Sequence, residues 1–388
     1  MKIKKPNYFK DFNCIADKCE DTCCAGWGIV IDDKSYEKYM NLESDFGRFL
    51  RSKIVEDEGD KVFLLNGDRC SFLNENNLCE IYNNIGEEGL CYTCRQYPRY
   101  LEEFGSLREI GISLSCPEAC RIILNQKEKV SFELEEVEEE ISNYNDINAN
   151  LYINLMQIRK IVLSIIQDRS IDIDIRGSIV LRFIDEVQEK IDSNEISSIK
   201  DITNKYLDKD YINEVIENIN KFKGKKDIKY TNMKGILDTF KNLKHIKPND
   251  LLGIDDVLRY FFQSKEDKEL YFKNYNDFNN YYKENEYKFE QILVYYVYRY
   301  FLKSVFDYDA IGKIKFAIVS YIMIKELSAI RFLENREFID SDLVDIAHTY
   351  SKDIEHLEEN VEKLQELFET EEFFELDEIL YVLLAHYK

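Results

Sequence analysis

Four prolines and 14 glycines in 388 residues are too few for a turn-rich β architecture, and they leave long helices as the main building material. Cysteine is absent after Cys120, and histidine is absent before His245. All four histidines, His245, His348, His356 and His386, therefore lie in the cysteine-free part, and a mixed Cys/His zinc finger is not indicated. No stretch approaches the ~18 consecutive apolar residues that a membrane span needs. The nearest, Ala310 to Ile330, is interrupted by Lys313, Lys315, Lys325 and Glu326. The basic opening, MKIKKPNYFKDF, is not followed by an apolar run, so no secretory signal is expected and a cytoplasmic location is. No glycine-rich turn joins a strand to a helix as in Rossmann-type cofactor folds, and Gly26-Trp27-Gly28 reads as a tight turn. The C-x3-C-x2-C pattern of radical S-adenosylmethionine enzymes is also missing. After Cys19-x3-Cys23 position 26 is Gly26, and after Cys116-x3-Cys120 position 123 is Ile123.

Charge of one sign dominates what is present. The chain carries a net charge of −23, of which residues 1–126 hold −6 and the remainder −17. Such a surface repels phosphate backbones, so nucleic-acid binding is excluded, while a cationic, lysine-bearing protein surface would be attracted. A plain solvated acidic surface is the other reading. A hydrophobic content of 45% rules out a disordered chain.

The ten cysteines crowd between Cys14 and Cys120 in close groups: Cys14, Cys19, Cys23 and Cys24; Cys70 and Cys79; Cys91 and Cys94; Cys116 and Cys120. Thiols gathered in a reducing compartment usually hold metal rather than disulfides. Short spacings such as Cys91-x2-Cys94 let one turn of backbone supply two thiolates. All-sulfur ligation suits zinc or an iron–sulfur cluster, at one site or two.

The fold class expected is mainly α: a cysteine-rich metal-binding region over residues 1–125 with a short β-hairpin, then an all-α body over residues 126–388. Val62 to Leu65 followed by Asn66-Gly67-Asp68 predicts a strand and turn, and Cys70 to Tyr82 a hairpin with a thiol on each arm. The acidic stretch Glu133 to Glu140 reads as a bridge into the body. Helical spacing then joins Leu155, Ile158, Val162 and Ile165; Val180, Ile184, Val187 and Ile191; and Ile354, Leu357, Val361, Leu364 and Phe368. Lys221–Lys226 and Asn242–Asp250, with Pro248, read as connections.

The run from Tyr8 to Trp27, containing Cys14-Ile-Ala-Asp-Lys-Cys19-Glu-Asp-Thr-Cys23-Cys24-Ala-Gly-Trp27, resembles the opening of the flagellin lysine-N-methylase family. So do the block Cys70 to Tyr82, the run Leu90-Cys91-Tyr-Thr-Cys94-Arg95-Gln-Tyr97-Pro98-Arg99, and Ser115-Cys116-Pro117-Glu-Ala-Cys120. The flavour is shared with a broader class of zinc- or iron-chelating cysteine-cluster proteins. The resemblance implies S-adenosylmethionine-dependent methyl transfer to lysine ε-amines of flagellin, and an iron–sulfur cluster held by these cysteines. A non-catalytic metal-binding interaction module and a redox or electron-transfer protein are the competing readings.

Beside the Cys91/Cys94 pair, Arg95 and Arg99 are candidates to clamp the cofactor carboxylate, and Tyr97 is a candidate to orient or deprotonate the amine. The alternative is that the arginines offset cluster charge and Tyr97 packs. Trp27, the only tryptophan, is read as an adenine stack or a core residue. The tyrosines of the 281–300 stretch are read as a recognition surface for flagellin or as an aromatic helix packed on its neighbours.

Overall fold

The computed structural model describes residues 1–57, 59–139, 147–246, 253–264 and 267–387. Eight strands lie in the first third among the described residues: β1 (Lys2–Pro6), β2 (Ile54–Asp57), β3 (Asp60–Phe63), β4 (Leu65–Asn66), β5 (Arg69–Cys70), β6 (Arg99–Phe104), β7 (Leu107–Ile112) and β8 (Phe132–Glu136). With them run helices α1 (Asp33–Met40), α2 (Asp45–Arg51), α3 (Glu80–Ile85), α4 (Tyr92–Gln96) and α5 (Pro117–Leu124). The body is helical: α6 (Ala149–Ile166), α7 (Ile173–Asp192), α8 (Ile199–Lys205), α9 (Lys209–Ile219), α10 (Lys226–Lys241), α11 (Ile254–Phe261), α12 (Asp267–Tyr281), α13 (Tyr287–Tyr300), α14 (Ser304–Asp307), α15 (Ala310–Asn335), α16 (Asp340–Glu355), α17 (Glu358–Thr370) and α18 (Leu376–Leu384). The mainly α expectation and the small β-containing cysteine region hold.

The short hairpin is β4–β5, with Gly67 at φ +68° in its turn. Beyond Cys70 the expected second arm is not a strand. Leu73 and Cys79 form a single bridge, and the chain then winds into α3 with Cys79 as its N-cap. The acidic bridge is also different. Residues 132–136 form β8, an edge strand antiparallel to β1, while Glu140 lies outside the described residues. The sheet order is β6-β7-β1-β8, and β1 runs parallel to β7. The physical reason is complementary charge: Lys5 meets Glu135 at 2.9 Å and Lys2 meets Glu136 at 3.8 Å.

Two apolar clusters divide the molecule. The smaller gathers Ile29, Ile31, Tyr39, Leu50, Phe63 and Phe72 with Cys70 and Cys91, and Cys24, Cys79 and Cys94 pack on its edge. The larger runs from Tyr8, Phe12 and Ile112 through α5 into the whole helical body. The sheet and α5 thus share the body's core. Arg159 of α6 locks them together through a buried ion pair with Glu109 of β7 and a 3.0 Å bond to the Tyr298 carbonyl.

α15 is the central helix of the body, packed by α7, α12, α13, α16 and α17. Two of the charges that interrupt its apolar run are buried with partners: Lys325 on Asp174 at 3.0 Å, and Glu326 accepting from the Tyr271 hydroxyl at 2.8 Å; Lys315, half-buried, donates to the Phe368 carbonyl at 2.8 Å. Among the described residues no helix is long and apolar enough to cross a membrane. Four of the α13 tyrosines, Tyr295, Tyr296, Tyr298 and Tyr300, are buried core residues, as is Tyr282, while Tyr287 is half-buried and Tyr281 exposed. The buried five form no recognition surface.

The stripe from Ile354 to Phe368 is broken between α16 and α17. Asn360 makes the break: its buried amide donates to the carbonyls of Asp353 (2.9 Å) and Lys244 (2.7 Å) and accepts from the Lys244 amide. The connection expected over 242–250 follows α10, and its residues from 247 onward lie outside the described ones.

Candidate metal centre and its junction with the helical body

Three of the thiols stand at helix N-termini: Cys79, Cys91 and Cys116 occupy the N-cap positions of α3, α4 and α5, none with a side-chain capping hydrogen bond. Amides of each first turn face the sulfur, from Ile81 and Tyr82 toward Cys79, Thr93 and Cys94 toward Cys91, and Glu118 and Ala119 toward Cys116. A helix N-terminus favours negative sulfur. The Cys24 thiol bonded to Cys79, with those amides, brings Cys79 down to about 7 against the opposing effect of burial. Cys91 is lowered likewise, first by its Cys94 partner. At Cys116 burial wins and the thiol rises to about 12.

The groups converge. Cys23 and Cys24 lie 4.0 Å apart, sulfur to sulfur. Cys24 and Cys79 also act on each other, as do Cys91 and Cys94, each raising or lowering its partner's thiol. Cys94 feels the charges of Cys91, Cys79 and Cys23, and Cys70 feels those of Cys79, Cys91 and Cys23. The Cys70 amide donates to the Cys24 carbonyl at 2.7 Å, which ties the β5 end to the thiol loop. Cys19 and Cys116 adjoin this gathering, since both feel the charge of Cys23 and Cys116 also feels that of Cys19. Two cysteines stand apart. Cys14 is exposed, its sulfur 3.5 Å from the Ala16 amide. Cys120 is fully buried and points to the Val344 carbonyl of α16 at 3.8 Å. None of the ten is in a disulfide. Among the described residues, no three Cys, His, Asp or Glu side chains are already closed around one point. By donor type the gathered thiols fit a soft metal, with sulfur supplied from both sides of the small core.

Arg95, Tyr97 and Arg99 face three different partners. Arg95 reaches toward Glu88 at 3.8 Å, and Arg99 lies over the Phe12 ring at 5.1 Å. Tyr97 turns inward to the Ser115 hydroxyl at 3.3 Å. Burial, reinforced by Cys116, pushes its phenol well above the usual range, so it stays protonated.

Sequence reasoning missed the side chains that the fold brings to this spot from 240 positions away. His356, at the end of α16, places Nε2 2.7 Å from the Ser115 hydroxyl, next to Cys116. Its ring lies 5.5 Å from Trp27 and 5.8 Å from Tyr97. Trp27 donates Nε1–H to the Cys23 carbonyl at 2.9 Å. Burial lowers His356 to about 4, so the ring is neutral at physiological pH. Behind it, Ser115 bonds Ser113 at 2.8 Å. Ser113 accepts from Arg299, which pairs with Glu355 at 2.7 Å. Glu355 has a fully buried side chain and also accepts from Tyr295 and Tyr300. One turn earlier on α16, Lys352 bonds Asp21 at 2.6 Å and the Thr22 carbonyl at 3.0 Å, gripping the thiol loop directly. Ile246 fills the space beside Gly26, where a Cβ would meet it at 2.2 Å. The one available signal was the position of His356 at the break in a helical stripe.

Residues 13–121 match the model of the CxxCxxCC domain, a family described as zinc- or iron-chelating. Residues 159–382, more than half of the chain, match the FliB lysine N-methylase C-terminal domain. The chain belongs to the FliB lysine N-methylase family. Its similarity to individual relatives is modest. Over 143 residues, 33% of this chain, it is 25% identical to the flagellar biosynthetic protein FliU of Salmonella muenchen, covering 80% of that protein. It is also 25% identical to the Lysine-N-methylases of Salmonella choleraesuis and Salmonella typhimurium, but the match spans only 34% of their length. No solved structure matches.

Proposed function

We propose that this protein transfers methyl groups from S-adenosylmethionine to lysine ε-amines, with flagellin as substrate, and carries a thiolate-held iron–sulfur cluster. The single observation that carries the reading is the match to the methylase C-terminal domain over residues 159–382, in a chain whose thiol lobe is docked on that region by Lys352 and His356. The family's flagellar relatives support flagellin as the substrate. Cys23, Cys24, Cys70, Cys79, Cys91 and Cys94 would hold the metal, with Cys19 and Cys116 beside them. Cys14 and Cys120 are outside the set. The proposed boundary near residues 125/126 divides the cysteine-bearing sequence from the methylase body, with β8 beyond it reaching back to pair with β1.

When bound, S-adenosylmethionine supplies an electrophilic sulfonium methyl. The chain's own task is to bring a lysine amine into line with it and deprotonated, since an ammonium has no lone pair. The net charge of −23 raises the local concentration of lysine-bearing segments. Arg95 or Arg99 would hold the cofactor carboxylate. Tyr97, held protonated, positions groups through its hydroxyl rather than serving as the base.

The test is to incubate anaerobically purified protein with methyl-labelled S-adenosylmethionine and flagellin, and to map labelled residues by mass spectrometry. Labelled lysines are expected together with iron and inorganic sulfide in the protein. No transfer to any lysine overturns the reading. Transfer by a protein holding zinc alone overturns only the cluster.

A further inference from the structure

The helical body carries an open groove to which the thiol lobe contributes no residue. Helices α6 and α9 both pack on α7, and a cleft of about 580 Å³ runs between them. Its floor is apolar: Ile161 and Ile165 come from α6, Ile212 and Ile216 from α9, and Tyr206 and Leu207 complete the wall. Ile165, Ile212 and Ile216 are only half-buried, and Leu207 is 60% exposed. Ile153, one turn before Gln157 on the same face of α6, is 63% exposed and extends the apolar line. Apolar side chains left open along one face mark a contact surface.

The polar groups say what fits. A small molecule would need convergent polar partners, and those of the lining are already engaged. The buried Tyr206 hydroxyl donates to Glu186 at 2.8 Å, and the lining's one carboxylate, Asp168, accepts from the Ser170 hydroxyl at 2.7 Å. Lys160 on the α6 rim and Lys209 on the α9 rim are exposed, and among the described residues neither is in an ion pair. In a chain of net charge −23, basic rims over an isoleucine floor reverse the prevailing sign. Their complement is an apolar ridge with carboxylates along its flanks, which an amphipathic helix presents at i, i+3/i+4 and i+7. We propose that the α6–α9 groove docks an acid-flanked amphipathic helix of the substrate protein. This rests on the flagellin methylation proposed above and names how the substrate is selected. The acidic surface gathers lysine-bearing segments, and the groove picks the protein that carries them.

The test uses the full chain with its metal in place and purified flagellin. Without cofactor, flagellin should protect amides of α6 and of residues 206–216 from hydrogen exchange. Leu207→Asp should raise KM for flagellin at least about 10-fold with kcat unchanged. The double change Lys160→Glu with Lys209→Glu should also raise it, and Lys160→Arg with Lys209→Arg should not. A short peptide carrying one methylated lysine of flagellin should be modified equally by all of them. All three positions are exposed, and metal content and thermal midpoint check that each variant is folded. Flagellin binding that leaves α6 and 206–216 unprotected overturns the proposal. So does a lower KM on charge reversal, which would give the partner basic flanks. Protection of the same segments by a second copy of this chain, with flagellin absent, overturns it as well. Methylation of flagellin with KM unmoved by Leu207→Asp fells the groove alone, and absence of any lysine methylation fells the reading beneath it.

Discussion

The cysteine lobe and the helical body are stabilised by different physics. The lobe's own apolar cluster has few large side chains, chiefly Phe63, Phe72, Tyr39 and Leu50, and five of its neighbours or members are thiols. The body has a continuous core from α5 to α18, with buried ion pairs inside it. A small cluster cannot offset the chain entropy of its loops unaided, whereas a large one can. The lesson is that the proposed sulfur ligation would substitute for burial in the lobe, and the body needs no such help.

Metal removal should separate the two most sharply. Chelation under anaerobic conditions is expected to abolish hydrogen-exchange protection of amides in residues 24–94 while α6, α7 and α15 keep theirs. Loss of protection throughout, or nowhere, would break the comparison.

Single cysteine changes sharpen it. Cys24→Ser and Cys79→Ser should lose most of the metal, because these thiols influence each other at the centre of the gathering. Cys14→Ser and Cys120→Ala should retain it, since one is exposed and the other faces Val344. Metal analysis of the four purified variants decides this, and equal loss in all four would mean a site that uses every group.

Within the body, Arg159→Met should destabilise by about 3–5 kcal/mol by leaving Glu109 buried without its main partner. Lys4, at 3.7 Å from Glu109, offsets part of that cost. Replacing both Arg159 and Glu109 by Met should recover much of the loss. Chemical denaturation of the body, with metal content unchanged, is the measurement.

The smallest effect expected is one of pH. Asp345 is held below the usual carboxylate range, first by its hydrogen bond with His348, then by Arg331 against opposing burial. A depressed folded value means that its contribution is full above the unfolded value of about 3.9 and is lost as pH falls through the folded one. Its side chain is 55% exposed, so solvent screens most of the interaction. Acid titration should show Asp345→Asn slightly less stable than the unaltered protein at neutral pH, with the two converging at low pH. A gap that persists at low pH would assign the residue a packing role.

Much of this was legible in the chain. The stripe Val180, Ile184, Val187 and Ile191 is buried in α7 as its spacing predicts. The turn at Gly67 and the crowding of the thiols were equally plain. Other features were not. The strand 132–136 carries Glu at three of its five positions, and only its partner β1, 130 positions away at the Lys4–Leu134 pair, makes it a strand. A fragment ending near residue 130 would therefore lose β8 and expose the face of α5 that packs on α13 and α16. The tyrosines of α13 looked suited to recognition because residue type does not reveal which face a neighbour covers, and α15 covers it.

By itself the sequence determined the elements whose cause is local. Periodicity of apolar side chains dictates helices, a glycine at positive φ dictates a turn, and close cysteine spacing dictates where thiols can share a centre. Tertiary structure alone decided which distant groups meet: Lys352 on Asp21, His356 on Ser115, Arg159 on Glu109. Each is a pairing between side chains far apart in the chain. Its free energy exists only after both elements have been packed, so no local pattern carries it.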